Sequence, residues 1–352
     1  MAEATKSPAE ILGSYAERMG LSAHIAPFAH GGSLAERLAE NPLLMAPMAG
    51  VTDAAWRILA RAGGAALAYS EMVSATGLHY KSDKTWELVV PNDAEPDIAV
   101  QLFGHEPAYF REATSAIASR LGKKLALIDV NMACPMPKVT KDGSGSALLD
   151  DPARAQEIIA ACRAGIDEVS EAGSAPIPVT AKIRRGRRMG EEQAPEFARA
   201  LEAAGAAAVA IHGRFANQLY RGEADWGAIA RVADAVDIPV IGSGDVHSHA
   251  DAERMRQETG CAAVMIARGT YGNPWVFQGT CPAPEQRLAA FCCHVQLLDA
   301  CDIHLARARK LASWYFRGMP EAAKWRGQAM ECDTLEDYLA LADRVAHAIT
   351  EG

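Results

Sequence analysis

One thiol stands between two prolines in the stretch Asn131-Met132-Ala133-Cys134-Pro135-Met136-Pro137-Lys138. The apolar run Leu125-Ala126-Leu127-Ile128 leads into it and reads as a buried strand. Neither Pro135 nor Pro137 can donate a ladder hydrogen bond, so the strand must give way to a loop there. A thiol, a carboxamide (Asn131) and an ammonium (Lys138) therefore leave the C-terminal end of a strand, where a parallel α/β barrel keeps its chemistry. A protonated thiol can give its proton to a carbanion formed when hydride reaches the other end of a double bond. The plainer alternative is an inert core cysteine, but a loop between two prolines is a poor place to pack one.

Other apolar runs end in polar residues of the same kind. Ala46-Pro47-Met48-Ala49-Gly50 offers small side chains and a proline, which let a flat ring approach the backbone, and Thr52 or Asp53 can cap a following helix. Gln101 sits in an apolar strand, and its buried amide can both donate and accept at the edge of a heterocycle. Lys182 lies in Val179-Thr180-Ala181-Lys182-Ile183-Arg184, where an unpaired ammonium is costly, so an anion or polar ligand is expected beside it. His212, before Gly213-Arg214, is either a satisfied core histidine or a ligand at the barrel top. Ser243-Gly244-Asp245 and Ala267-Arg268-Gly269 expose backbone amides ahead of helices, the arrangement with which barrels commonly hold phosphate. A phosphate cradle, a ring-edge Gln, a Lys, a His and a thiol, with no carboxylate cluster or metal spacing among them, suit a flavin mononucleotide (FMN) enzyme. A cation fixed near a reduced flavin would favour its negative charge.

These residues need elements to hold them. From Leu43 a βα pattern recurs with a period of roughly 30 residues. Its apolar runs are Leu43–Met48, Leu67–Met72, Ile98–Phe103, Leu125–Asn131, Pro178–Ile183, Ala207–His212, Pro239–Gly242 and Ala262–Ala267. Helical patterns intervene at Ala108–Leu121, Pro152–Ala172, Gln193–Ala204, Trp226–Ala235 and His249–Thr259. The runs lack polar alternation, so both faces should be buried under helices. Eight units predict an α/β protein, a (β/α)8 TIM barrel over residues 42–283. A doubly wound sheet is the alternative, weakened because no GxGxxG follows a first strand. Residues 1–41 read as an amphipathic N-terminal extension without assigned chemistry. Residues 284–352 carry helical patterns alone, broken near Gly318-Met319-Pro320, and read as a small C-terminal helical domain. Arg307, Arg309, Lys310, Arg317, Lys324 and Arg326 crowd its middle around Trp314 and Tyr315. That mixture suits an aromatic and basic RNA surface, or else a solvated helix face over core aromatics.

The bulk properties set limits. A chain of 352 residues with 49% hydrophobic content can fill a large core, and its formal charge of −9 advertises no polyanion partner globally. Any nucleic-acid contact must then come from cations gathered locally. No apolar leader or bilayer-length run appears, so a soluble cytoplasmic protein is expected. Eight cysteines without a CxxC argue against a disulfide framework, and the group Cys281, Cys292, Cys293 and Cys301 reads as helix-face thiols rather than a metal site.

Taken together, Leu44-Met45-Ala46-Pro47-Met48-Ala49-Gly50-Val51-Thr52-Asp53, Asn131-Met132-Ala133-Cys134-Pro135, Lys182-Ile183-Arg184, His212-Gly213-Arg214, Gly222-Glu223-Ala224-Asp225-Trp226, Gly272-Asn273-Pro274-Trp275 and Arg309-Lys310 before Trp314-Tyr315 resemble the tRNA-dihydrouridine synthases, most closely their bacterial B-type members. The resemblance runs in order through residues 43 to 320. It implies an FMN-bound barrel that reduces the C5–C6 double bond of particular uridines in tRNA, with NADPH or NADH reloading the flavin. It further implies that Cys134 protonates C5. FMN contacts are implied for Pro47, Met48, Ala49, Gln101, Lys182, His212, Ser243, Gly244, Asp245, Ala267 and Arg268. Asn131 would hold flavin or base, and Lys138, Arg184, Arg214, Arg309 and Lys310 would serve the tRNA side; no metal is implied. The sequence departs from the usual pattern at Ala133, Phe215-Ala216, Ser243 and Ala267. Two alternatives to this reading are an FMN barrel reductase acting on a small pyrimidine or enone, and a non-catalytic helper of tRNA folding.

Overall fold

The computed structural model describes residues 6–28, 32–170 and 176–351. Nine parallel strands follow one another around a single sheet: β1 Leu43–Met45, β2 Leu67–Ala68, β3 Val73–Ser74, β4 Ile98–Phe103, β5 Leu125–Met132, β6 Val179–Arg184, β7 Ala208–His212, β8 Val240–Ser243 and β9 Ala263–Ile266. Their order, β2-β1-β9-β8-β7-β6-β5-β4-β3, leaves β2 and β3 at the two ends of the list. These two are halves of one strand, and a parallel bridge from Tyr69 to Ala99 closes the ring. The result is the expected eight-unit barrel, not the open doubly wound sheet.

The second strand is broken where the sequence suggested one run over Leu67–Met72. Ser70 supplies the reason. Its N–H still bonds to Ala99 O, but its hydroxyl, instead of a ladder carbonyl, receives the Gln101 N–H at 3.0 Å and itself donates to Glu71 O. The first strand is also shorter than Leu43–Met48, because Pro47 has no N–H and Met48 N turns to Thr52 Oγ1 at 3.2 Å.

Side chains alternate across each strand. Outward positions such as Ile98, Val100, Leu102, Ile128, Val130, Val179, Ile183, Val209 and Ile211 are buried under the surrounding helices. Inward positions are smaller or polar. Ala99, Leu127, Ala208, Ala210, Ile241, Ala263 and Met265 fill the barrel interior. Gln101, Asp129, Asn131, Thr180, Lys182 and His212 continue the inward rows toward the C-terminal ends of the strands.

The N-terminal extension closes the opposite end. Ser33 and Glu36 form a capping box that starts helix Leu34–Glu40, which leads directly into β1. Leu34 and Leu38 from this helix join Phe28 in the interior cluster with Leu44, Leu67 and Leu127. Upstream, helix Pro8–Met19 lies against helix Pro284–Ala300, where Trp275 Nε1 donates to Met19 O at 2.8 Å. Past Pro284 the described residues are helical or irregular, with helices Pro284–Ala300, Ala308–Tyr315, Ala322–Ala329 and Leu335–Glu351. Among the described residues no helix is long and apolar enough to cross a membrane. The helix expected over Pro152–Ala172 runs Pro152–Asp167, and its expected end falls outside the described residues.

Candidate active site

The C-terminal ends of the strands surround a cavity of about 420 Å³, within the range of about 300–1,000 Å³ usual for small-molecule sites. Thirteen of the residues singled out in the sequence line it: Pro47, Met48, Ala49, Asn131, Cys134, Lys182, Arg184, His212, Ser243, Gly244, Asp245, Ala267 and Arg268. They come from six different strand ends. The barrel therefore gathers groups that lie up to 221 positions apart in the chain.

Cys134 is half-buried at the end of β5. Its loop is tied down on several sides. Ala133 N and Cys134 N donate to Asn131 Oδ1 at 3.2 and 2.9 Å. Ser146 N donates to Cys134 O at 3.0 Å, and Arg184 Nε donates to Ala133 O at 3.0 Å. Gly145 lies against the same loop with φ +62, and a Cβ there would meet Cys134 O at 2.7 Å, so only glycine fits.

Lys182 and His212 face the cavity from β6 and β7, each 9% exposed. Burial pushes the Lys182 ammonium down to about 8, and Arg184 adds repulsion that Asp129 and Cys134 only partly offset. Burial likewise lowers His212 well below the ordinary histidine value, helped by Lys182, Arg184, Arg214 and Arg268, so it stands neutral at pH 7. Beneath them Asp129 is pushed up to about 6 by burial, against the opposing hydrogen bonds from Gln101 and Thr180 and the charge of Lys182. It is nonetheless mostly ionised at pH 7.

The ends of β8 and β9 make the phosphate-type cradle. Gly244 has φ +121, and a Cβ on it would lie 2.7 Å from Ala224 Cβ and 2.9 Å from His212 Cδ2. Asp245 follows in the left-handed region with φ 54. Burial alone would raise the Asp245 carboxyl, but its hydrogen bonds and charges from Arg214, Ala224 N and Arg268 more than offset this and lower it. Arg214 grips it with Nη1 and Nη2 at 2.8 and 2.6 Å, and Arg268 Nη2 reaches it at 3.0 Å. Arg268, partly exposed, brings a cation to the cavity mouth. The Arg268 cation together with the glycine turns of this corner suits a phosphate-bearing ligand.

Several expectations need correction. Gln101 does not line the cavity. It is fully buried one layer below, where its amide donates to Asp129 Oδ2 at 2.7 Å and accepts from Asn131 Nδ2 at 2.8 Å. Arg214, expected to meet RNA, is 2% exposed; besides Asp245 it donates to Arg221 O and Gly222 O. Arg184 lines the cavity but spends its guanidinium on Ala133 O, Phe215 O and Leu219 O. Both arginines are thus occupied in holding loops. Tyr315 is buried, and Trp314 packs with Trp56 at 5.1 Å and Tyr271 at 4.3 Å between ring centroids. These two aromatics belong to the packing of the helical segment, not to an exposed surface. Arg309 pairs with Asp333 at 2.6 Å, whereas Lys310 and Lys138 are exposed.

The sequence reading missed three features. Tyr220 lines the cavity at its rim, 61% exposed, with the guanidiniums of Arg184 and Arg268 at 5.8 and 5.5 Å from its ring centroid. Its only signal was an aromatic residue in a polar, glycine-containing loop after a strand. Met72, at the end of the expected run Leu67–Met72, and Tyr271 also reach the lining. Arg307 spans from the helical segment to the barrel top, bonding Asp53 Oδ2 at 2.9 Å and Glu71 Oε1 at 3.3 Å. Glu71 in turn accepts Gly50 N at 2.6 Å, so the helical segment is wired to the loop carrying Met48 and Ala49.

Comparison with known proteins agrees with the arrangement. The family profile described as dihydrouridine synthase matches residues 44–350. A probable tRNA-dihydrouridine synthase of Treponema pallidum is 35% identical over 330 residues, covering 89% of this chain and 95% of the relative. The tRNA-dihydrouridine synthase B of Pseudomonas aeruginosa is 34% identical over 302 residues, covering 82% and 87%. A probable tRNA-dihydrouridine synthase of Rhizobium leguminosarum bv. phaseoli is 35% identical over 319 residues, covering 89% and 96%.

Proposed function

The chain belongs to the dihydrouridine synthase family, and from that premise we propose that it is an FMN-dependent enzyme reducing the C5–C6 double bond of specific uridines in tRNA. The observation that carries the reading is the meeting of Cys134, Asn131, Lys182 and His212 around one cavity whose far corner is the cradle Ser243-Gly244-Asp245 with Ala267-Arg268.

In this reading Ser243, Gly244, Asp245, Ala267 and Arg268 would hold the FMN phosphate, and Pro47, Met48, Ala49, Lys182 and His212 would hold the rest of the cofactor. The chemistry that FMN would supply there is hydride for C6, with NADPH or NADH as the reductant. The chain's own residues do the rest. The Cys134 thiol holds the proton destined for C5. Asn131, through its bonds to Ala133 N and Cys134 N, keeps that thiol aimed into the cavity. The Lys182 ammonium favours negative charge at the cavity wall. Gln101 acts from below, through Asn131, and not on the ring itself. The target uridine must leave the tRNA stack to reach this depth, at a cost of a few kcal/mol that phosphate contacts elsewhere offset. Residues 284–352 form the part of the chain proposed to meet tRNA, with Lys310 as an exposed cation there and Lys138 as another in the short helix Pro137–Thr140 after Cys134.

The test joins a spectrum, a variant and a map. Purified protein is expected to show flavin absorbance. Cys134→Ala should keep flavin and tRNA binding while turnover falls by about 10²–10⁴-fold, the usual contribution of a positioned proton donor. In tRNA from a deletion strain, one uridine should be lighter by two hydrogens. Full turnover by Cys134→Ala, or equal turnover of free uridine and tRNA, refutes the proposal.

A further inference from the structure

Beneath the cavity four side chains form one line of hydrogen bonds. Thr180 Oγ1 donates to Asp129 Oδ1 at 2.6 Å. Gln101 Nε2 donates to Asp129 Oδ2 at 2.7 Å, Asn131 Nδ2 donates to Gln101 Oε1 at 2.8 Å, and Asn131 Oδ1 accepts from Ala133 N and Cys134 N. Strand register builds the line, since Gln101 pairs with Asp129 and Asp129 with Thr180 across β4, β5 and β6. Asp129, Gln101 and Asn131 are all 5% exposed or less.

An amide has two ends of similar shape and opposite hydrogen-bond character. At Asn131 the two loop N–H donors, and Met72 Sδ lying 3.1 Å from Nδ2, favour the same end; at Gln101 the choice is left to its neighbours Asp129 and Asn131. An ionised carboxylate can only accept. It therefore draws the NH₂ end of Gln101 toward itself, which turns the Gln101 oxygen toward Asn131. That oxygen draws the NH₂ end of Asn131, which leaves the Asn131 oxygen to accept the two loop N–H groups. Were the line reversed, the Asn131 NH₂ would face two N–H donors, and all would be unsatisfied in a buried place. We propose that Asp129 is a positioning residue for the Cys134 loop: its charge sets the direction of the Gln101–Asn131 amide relay and so fixes the backbone that aims the thiol.

This inference rests on the reading of Cys134 as the working thiol, and its test separates the two. Asp129→Asn removes the acceptor-only group with hardly any change in volume. The double variant Asp129→Asn with Gln101→Glu moves the carboxylate one link along. A carboxylate at position 101 can accept both from the amide introduced at position 129 and from Asn131, so the direction is restored. Two quantities are read: the alkylation rate of Cys134, followed by mass mapping of its peptide in flavin-loaded protein, and tRNA reduction at saturating tRNA. Asp129→Asn is expected to alkylate several-fold faster and to turn over roughly tenfold more slowly at unchanged KM, about the worth of one buried hydrogen bond. The double variant should return both to within about twofold of the natural protein. A single variant that behaves as the natural protein in both measurements overturns the relay. So does a double variant that fails to fold or remains as defective as the single one. If instead Cys134→Ala retains turnover, the functional reading fails, while the alkylation rates still decide the relay.

Discussion

Replacing Lys182 with Met should make the flavin-free protein more stable at neutral pH and disable it as an enzyme. Burial pushes the Lys182 ammonium down to about 8 from the ordinary lysine value of 10.5. That difference corresponds to roughly 3 kcal/mol. The folded pKa lies below the unfolded one, so between about pH 8 and 10.5 the unfolded chain binds more protons and stability rises with pH. The cost of the charged form is fully present below about pH 8 and is gone above 10.5. Methionine removes it, but also removes the charge that helps keep Asp129 ionised, so Asp129 drifts further up and part of the gain is lost. With an unfolding entropy of about 2 cal/mol/K per residue, the net gain should appear as a melting point roughly 2–4 °C higher at pH 7. Thermal unfolding at pH 7 and near pH 10.5 measures it, with the gap closing at the higher pH. Loading with FMN should invert the order, because only the natural protein keeps an ammonium for the flavin; the variant should bind or reduce flavin poorly. A variant that melts lower at pH 7, or that stays yellow and fully reducible, refutes the argument.

Three other expectations are independent of it. Leu38→Ala removes a side chain that is 1% exposed at the closed end of the barrel, and should cost about 3 kcal/mol in thermal unfolding while leaving Cys134 alkylation unchanged. Gly244→Ala places a Cβ 2.7 Å from Ala224 Cβ at φ +121; equilibrium dialysis should show FMN affinity reduced by at least about tenfold, the effect of little more than 1.4 kcal/mol of strain. Lys310→Ala removes an exposed cation resting 5.3 Å from the Trp314 ring centroid, and should weaken tRNA binding evenly across tRNAs, lowering the slope of log affinity against log salt by about 1.

What the sequence made legible was what depends on neighbours along the chain. Runs such as Ile98–Phe103 and Leu125–Asn131 are mostly apolar because outward faces meet helices while inward faces meet the barrel interior, and that pattern is written locally. Cys134 stood out because Pro135 and Pro137 must end a strand. Lys182 stood out because an ammonium inside the run Val179–Arg184 needs a partner. The errors concern partners far away in sequence. Arg214 looked available to RNA until Asp245, 31 positions on, claimed it in a two-pronged bond. Gln101 looked like a ring-edge ligand until Asp129, 28 positions on, drew its amide below the cavity. Residues 1–41 read only as an amphipathic extension; that Phe28, Leu34 and Leu38 close the barrel depends on a ring of strands the local pattern does not contain.

Along the barrel axis, packing and chemistry are set apart. The closed half is filled by Leu44, Leu67, Leu127 and Ile241 with Leu34 and Leu38 against them, and truncations there remove contacts without touching a reacting group. The open half holds Gln101, Asp129, Asn131, Thr180, Lys182 and His212. Buried groups of that kind contribute little net stability even when satisfied, and less when charged. Their role here is therefore direction more than cohesion: a carboxylate that orders two amides, an ammonium kept charged near the edge of its range, an imidazole kept neutral. The same economy governs charge. The chain carries a formal −9; at the cavity Arg184 and Arg214 hold loops, Arg268 shares Asp245 with Arg214, and Lys182 lies above Asp129. On the proposed reading, a phosphate group would meet these cations at the cavity, and tRNA would meet exposed ones such as Lys310.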